Sequence, residues 1–493
     1  MLITYCFLIL YSMLKTIRFS LIIAIILSGS LFYSCHRADD GNKAKYVFYF
    51  IGDGMGLQQI NTTQAYLAAI SDTYGNKDLS FTSFPVTGFA TTYAANRYIT
   101  GSAAAGTALA TGSKTSINTL GLNAERTDTL FSIAYHAHKA GFKVGIATSV
   151  SIDHATPAAF YAHQPDRNMY HEVAHDMVKS GFRFFAGGGF LDPEGEKSKN
   201  PLGNVFEKGL AENFYFTQTF PIPDSILNAY SSIVYSVPEP DASSTLKCRI
   251  DADSADVTLA DITSLAIDVL MNPKGFFLMV EGGKIDWACH NNDAATTVGE
   301  VISLSDAIAI AVDFYNKHPN ETLIVVTADH ETGGMTIGNG SMKYETNFTI
   351  LANQKQSIDG FNKKVLEFKT KHKSNPTFNS YLQFVSDELN IDPKAYNEMQ
   401  LSYLQKAHLA SLKQNNPRDK EANRKEYGSF DPMATAAIRV LNQRAGLGWT
   451  TMSHTGAQVP VYAIGVGQEM FSGNIDNTDI PKGISRAMGV DLP

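Results

Sequence analysis

Positive charge is scarce in this chain of 493 residues: 40 Lys and Arg face 48 Asp and Glu, a formal net charge of −8. A general affinity for nucleic acid needs a basic face that displaces counterions, and this balance excludes it. Any anion the protein holds must therefore be drawn by a local cluster of positive charge. Cysteine is scarce too, four in all, which excludes a disulfide-stapled scaffold. Cys6 and Cys35 fall near the N-terminus; Cys248 and Cys289 form either one disulfide or two separate buried thiols. There is no internal repeat and no low-complexity tract, so solenoid and fibrous arrangements drop out. Past residue 31 no segment approaches the continuous apolar length of a membrane-spanning helix. What remains, 44% apolar and 18% charged residues, is ordinary for a folded enzyme-sized domain, and the length leaves room for an insert.

The N-terminus departs from that composition. Leu14-Lys15-Thr16-Ile17-Arg18 leads into the apolar run from Leu21 to Leu31 and ends at Ser34-Cys35. A basic start, an apolar stretch and small residues make an export signal, not a fold element. Met13, just before the two basic residues, would give a conventional short basic region. Small residues before Cys35 resemble a bacterial lipoprotein cleavage box, although Phe32 and Tyr33 fit it poorly. The expectation is an exported protein, periplasmic or anchored to the membrane by lipid on Cys35.

Short runs apolar on both faces alternate with helical stretches: Lys45 to Ile51, Phe142 to Val150, Phe182 to Ala186, Phe276 to Val280, Thr322 to Thr327 and Val459 to Gly465. They read as buried parallel strands of an α/β fold, a doubly wound, mostly parallel central sheet flanked by helices. Ligands bind such sheets at the carboxyl edge. Three of these strands run straight into Asp53, Glu281 and Asp329-His330. Helix capping explains one such acid easily and three with difficulty. From 338 to 429 the sequence turns polar, with amphipathic stretches such as Ala395 to Leu412, and reads as a helical insertion. The expected division is a signal segment at 1–35, a catalytic domain at 36–337 and 430–493, and the insertion at 338–429.

Singly, each polar motif has a plain structural explanation. Asp53-Gly54-Met55-Gly56 is a glycine-rich turn after a strand, with Asp53 a candidate helix cap. Ser102, in Thr100-Gly101-Ser102-Ala103-Ala104-Ala105-Gly106-Thr107, starts a helix of small residues and is a candidate N-cap. The exposed N–H groups and positive dipole end at that place also favour a nucleophilic oxygen and a bound anion. Thr156, in His154-Ala155-Thr156-Pro157, suits a turn, and a lone Arg167 suits a solvated surface. Asp286 and His290 lie four apart and share one helical face. His454, alone, suits a structural histidine. Jointly these explanations fail: His290, His330 and His454 with Asp53, Glu281, Asp286 and Asp329, mostly at strand ends, suit zinc, and the oxygen-only remainder suits magnesium.

The order of Asp53-Gly54-Met55-Gly56, Ser102-Ala103-Ala104, His154-Ala155-Thr156-Pro157, Arg167, Glu281-Gly282-Gly283-Lys284-Ile285-Asp286, Thr327-Ala328-Asp329-His330 and His454 resembles the alkaline phosphatase family. The likeness runs from about Lys45 to Val466, apart from the insertion. It implies a phosphate monoesterase with two Zn2+ and one Mg2+ and a phosphorylated Ser102. Asp286, His290 and His454 would then hold one zinc; Asp53, Asp329, His330 and the Ser102 oxygen the second; Asp53, Thr156 and Glu281 the magnesium. Arg167 would grip two phosphate oxygens with its planar fork, and His154 and Trp287 would line the substrate site. A homodimer acting on small phosphate monoesters is implied as well.

Three positions depart from the best-known bacterial form. His154 and Trp287 stand where that form has Asp and Lys; the histidine resembles the animal enzymes, and the tryptophan occurs in some cold-adapted relatives. Gly101 replaces an Asp that usually steadies the phosphate-binding arginine, so a looser Arg167 and weaker phosphate inhibition are expected. A related sulfatase is excluded because no C/S-x-P-x-R segment is present. Diesterases typically lack a counterpart of the Thr156 and Glu281 site. A non-catalytic binding protein on the same fold would have lost a ligand, and none is missing.

Overall fold

The computed structural model describes residues 43–493 apart from 242, 341 and 414–416. The expected export segment and Cys35 lie outside the described residues. In chain order the strands are β1 (Tyr46–Gly52), β2 (Val86–Thr91), β3 (Lys143–Thr148), β4 (Phe184–Gly187), β5 (Phe214–Thr217), β6 (Ser232–Ser236), β7 (Phe276–Gly282), β8 (Thr322–Ala328), β9 (Glu331–Thr332), β10 (Thr336–Ile337), β11 (Leu447–Gly448), β12 (His454–Thr455), β13 (Val459–Gly465) and β14 (Gly473–Asp476). Ten of them form one sheet in the order β14-β2-β13-β8-β1-β7-β3-β4-β6-β5.

β1, β7 and β8 are buried at every residue, as strands covered by helices on both faces must be. β1 lies between the other two in parallel, with Gly52 opposite Gly282 and Ala328. That register brings the residues leaving the three strands to one edge. The fold is therefore the α/β arrangement with a large, mostly parallel sheet flanked by helices. One strand differs from the sequence reading: β13 runs antiparallel to both β8 and β2. Apolar residues on both faces encode burial, not direction, so β13 looked like its parallel neighbours. Nor is it the last strand, since β14 follows and pairs with β2.

The helix Ala294–Lys317 corrects a second expectation, because at 24 residues it is long and apolar enough to span a membrane. Its Val301, Leu304, Ala307, Ile308, Ala311 and Phe314 instead pack into the core beneath the sheet. The stretch read as helical from Ala395 begins at Glu398, where Asn397 and Gln400 form a reciprocal capping box. A second apolar cluster joins the helices Ile358–Lys371, Phe378–Leu389, Glu398–Leu412 and Pro432–Ala445. Cys248 and Cys289 are both buried and free, so the two-thiol alternative holds.

Candidate metal and nucleophile site

The three central strands deliver their acids to one place. Asp53 follows β1, Glu281 sits in β7 opposite Ile51, and Asp329 follows β8. Asp53 is not a helix cap: the next helix, Leu57–Ile70, is capped by Gly56. Nor is Ser102 an N-cap. Gly101 takes that place and Ser102 is the first residue of the helix Ser102–Thr111, with its hydroxyl at the exposed N–H end. That helix sits close to its neighbour because it is built of small residues: a Cβ on Gly106 would lie 3.2 Å from Ala159 Cβ and 3.3 Å from Thr156 Cα. Thr156 itself lies in the short helix Ala155–Ala158.

Three groups of acid and imidazole side chains converge closely enough to hold a cation: Asp286, His290 and His454; Asp53, Asp329 and His330; and Asp53, His154 and Glu281. Asp53 is shared by the last two. In the first group His290 Nε2 lies 3.3 Å from Asp286 Oδ2 and 3.1 Å from His454 Nε2. In the second, His330 Nε2 lies 3.4 Å from Asp53 Oδ1 and 3.2 Å from Asp329 Oδ2. Ser102 Oγ is 3.4 Å from the same His330 nitrogen, so the serine stands among the imidazoles. The third group brings in His154, which the sequence reading had placed with the substrate. Its Nε2 accepts a 2.9 Å hydrogen bond from Arg167 Nη2, and Trp287 meets the ring edge-on at 5.9 Å. Arg167 is half-buried, and among the described residues it makes no ion pair with a carboxylate.

The donor set fits divalent cations. Buried polar atoms are normally paired, yet both oxygens of Asp53, Asp329 Oδ2, Glu281 Oε1 and Thr156 Oγ1 have no hydrogen-bond partner. Electrostatics point the same way. Burial, then the charges of Asp329, Asp286 and Glu281, pushes the Asp53 carboxyl well above its usual range. Burial raises Glu281 to about 8 against the Thr148 hydrogen bond, and Asp329 to about 7 against the Gly54 amide. So many carboxylates out of water are costly without positive charge among them. Asp286 has it: burial would raise its pKa, but the hydrogen bond and charge of His290 hold it well below the carboxylate range. Burial, and next the Arg167 charge, brings His154 down to about 3, which keeps its ring neutral.

Three of the four clustered imidazoles have Nδ1 engaged away from the acids: His290 on the Met452 carbonyl at 2.7 Å, His454 on the Thr100 carbonyl at 2.9 Å, His330 on Thr332 Oγ1 at 3.2 Å. Donation from Nδ1 leaves Nε2 as the free ligand atom, the arrangement that orients metal-binding histidines. Thr332 also donates to Asp286 Oδ1 at 2.5 Å and so links two of the groups. A further brace runs from Gln59 Nε2 to Glu331 Oε1 at 2.7 Å, and Glu331 accepts in turn from Thr455, beside His454. None of these supports was read from the sequence. Period-two spacing gave one signal, since Thr332 two residues past His330 shares its side of the chain.

The alkaline phosphatase family model matches residues 44–183 and 242–490, most of the chain. The match runs through 338–429 and leaves 184–241 outside. Alkaline phosphatase 4 of Bacillus subtilis (strain 168) is 32% identical over 454 residues, covering 90% of this chain and 88% of that one. Among solved structures, the cold-active alkaline phosphatase of a psychrophilic Shewanella sp. aligns with a TM-score of 0.73 at 29% identity, over 90% of this chain and 99% of that one. A variant of the alkaline phosphatase from the Antarctic bacterium TAB5, described with Mg bound, aligns at 0.63 and 25% identity over 91% and 99%.

Proposed function

Because this chain belongs to the alkaline phosphatase family and is a phosphoric monoester hydrolase, we propose that it works through a phosphorylated Ser102 at a site for two zinc ions and one magnesium ion. What carries this reading is the meeting of three acid and imidazole groups around one serine oxygen at a helix N-terminus. Asp286, His290 and His454 hold one zinc, and Asp53, Asp329, His330 and Ser102 the other. Asp53, Glu281 and Thr156 hold the magnesium, with His154 beside them. An imidazole there lowers the preference for magnesium, which favours oxygen ligands. When bound, the three cations supply charge neutralisation of the transferring phosphoryl group and acidify the oxygen nucleophiles.

The chain's own groups then do the following. Arg167 binds two phosphoryl oxygens and turns the ester so that phosphorus faces Ser102 Oγ. The N–H end of the helix Ser102–Thr111 stabilises the serine oxygen and the incoming phosphate. Ser102 Oγ attacks phosphorus while the ester oxygen departs in line and leaves as the alcohol. Water then attacks the phosphoserine from the vacated side, releasing inorganic phosphate and restoring Ser102. His154 and Trp287 border the phosphate and set how tightly Arg167 is held. The basic-then-apolar N-terminal pattern ending at Cys35 supports export to the periplasm or a lipid anchor, and the family likeness supports a homodimer acting on small monoesters.

Elemental analysis of the purified holoenzyme by mass spectrometry is the first test: two zinc and one magnesium per chain are expected, with steady release of p-nitrophenol from p-nitrophenyl phosphate. A zinc-free preparation that turns over at the full rate refutes the reading. Gly101 offers a second test. Its backbone, φ −137° and ψ 163°, suits any residue, and the nearest atom to an added Cβ is His454 Cε1 at 4.0 Å. Gly101→Asp therefore fits, and by the family likeness its carboxylate should stand beside Arg167. The inhibition constant for inorganic phosphate should fall about 5-fold, the ~1 kcal/mol of a part-exposed ion pair. An unchanged constant would mean that Arg167 is held well enough by His154.

A further inference from the structure

The chain just past His290 is buried and polar, and the helical part of the molecule holds it. Asn292 and Asp293 are 6% and 0% exposed. Asn292 has a left-handed backbone, φ 51°, where the chain turns from the helix Lys284–His290 into the helix Ala294–Lys317. Its carbonyl accepts from the amide of Asn442, a 1% exposed residue of the helix Pro432–Ala445. Asp293 accepts from Gln354 Nε2 at 2.8 Å on one carboxylate oxygen and from the Ile358 amide at 2.8 Å on the other. The Asn292 side chain donates in two directions, to the Cys289 carbonyl at 3.1 Å and to the Thr451 carbonyl at 2.8 Å. Thr451 precedes Met452, whose carbonyl receives His290 Nδ1.

We propose that Asn442 and Gln354 are positioning residues for the Asp286, His290 and His454 cluster, so that the helical part braces one metal site from behind. The inference rests on the reading of that cluster as a zinc site. Its logic is geometric. The helix bearing Asp286 and His290 is capped by Asn291, and of the next two residues Asn292 takes a donor from 442 and Asp293 takes donors from 354 and 358 beside those of Thr296 in its own helix. The same Asn292 ties this junction to the loop that sets the tautomer of His290 and leads directly to His454. Losing the Asn442 donor leaves a buried carbonyl unpaired and frees the junction and the loop together. Acid- and imidazole-ligated metals lose about 10- to 100-fold in affinity when such supports go.

The test is zinc loss from holoenzyme of the full chain into excess chelator, followed by a zinc-sensitive dye. In Asn442→Leu one of the two zinc ions should leave about 10-fold faster than in the parent while the other keeps its rate. The visible spectrum of cobalt-exchanged enzyme should change for one site alone. Gln354→Met should act in the same direction and carries the test if Asn442→Leu does not fold. Unchanged release, or equal acceleration of both ions with a lowered melting temperature, overturns the brace. His290→Ala separates the two layers: it should lose zinc from the same site, and if it retains both ions the zinc reading has failed and the brace falls with it. If it loses one while Asn442→Leu and Gln354→Met keep parental kinetics, the zinc reading stands and the brace alone is wrong.

Discussion

Ser102→Ala should lower the turnover of a phosphate monoester by roughly four to six orders of magnitude, the scale on which loss of a covalent nucleophile acts. It should also leave no label on the protein after quenching with a radiolabelled monoester. The reason lies in where the hydroxyl sits. Ser102 is 3% exposed, opens a helix of wholly buried small residues, and faces His330 Nε2 at 3.4 Å. A helix N-terminus and an imidazole thus meet at this one hydroxyl. Thr156 Oγ1 is buried in the neighbouring short helix and has no hydrogen-bond partner. The variant should fold and bind phosphate, because alanine is as small and helix-compatible as the residues beside it. Label that persists at another residue would show that the serine is not the group that is phosphorylated.

Stripping the metals should abolish activity and reverse the way stability depends on pH. In the metal-free protein the carboxyls of Asp329 and Glu281 are raised to about 7 and about 8, chiefly by burial, far above their values in the unfolded chain. Below about pH 6.5 the depressed His154, His330 and His454 oppose this effect, because the unfolded chain protonates them and the folded one does not; between about pH 6.5 and pH 8 the two carboxyls keep more protons in the folded form, and stability falls as pH rises. Below about pH 4 both states are protonated and the loss disappears. Bound cations need these acids ionised, so the holoenzyme follows the opposite trend until its ligands are deprotonated. Scanning calorimetry of stripped and reloaded enzyme should show the gap in melting temperature widening from pH 5 to pH 8. At a free metal concentration of 1,000 times Kd the gap corresponds to about 4 kcal/mol per ion. A stripped protein whose melting temperature is flat or rising between about pH 6.5 and pH 8 would contradict the burial of unneutralised carboxyls.

Much of this arrangement is legible in the residues, for identifiable reasons. β1, β7 and β8 announce themselves because burial on both faces demands unbroken apolar runs, and an acid ending such a run stands out. Strands at and next to the edges do not: Val86–Thr91, second from one edge, mixes exposed threonine and phenylalanine with glycine, and the edge strands β5 and β14 are four residues each. Strand direction is invisible in composition, which is why β13 was misread. The imidazoles and carboxylates are legible because few structural roles explain so many of them. Their supports are not: two are carbonyl groups, of Thr100 and Met452, and any residue carries a carbonyl. Thr332, Asn292 and Asn442 are neutral residues with many ordinary uses, and only their partners reveal them. The third group likewise needed coordinates, since adjacency of His154 to Glu281 arises from sheet order, not from spacing along the chain.

The span of chain over which the site is stitched has its own consequence. Ser102 meets a residue 228 positions away, His454 meets Thr100 across 354 positions, and His290 meets His454 across 164. No early fragment of the polypeptide contains a complete ligand set, so metal cannot nucleate folding the way it does in small zinc-bound modules. Loading must come last, onto a scaffold already built. On this topology the ligand set is complete only once the sheet is assembled.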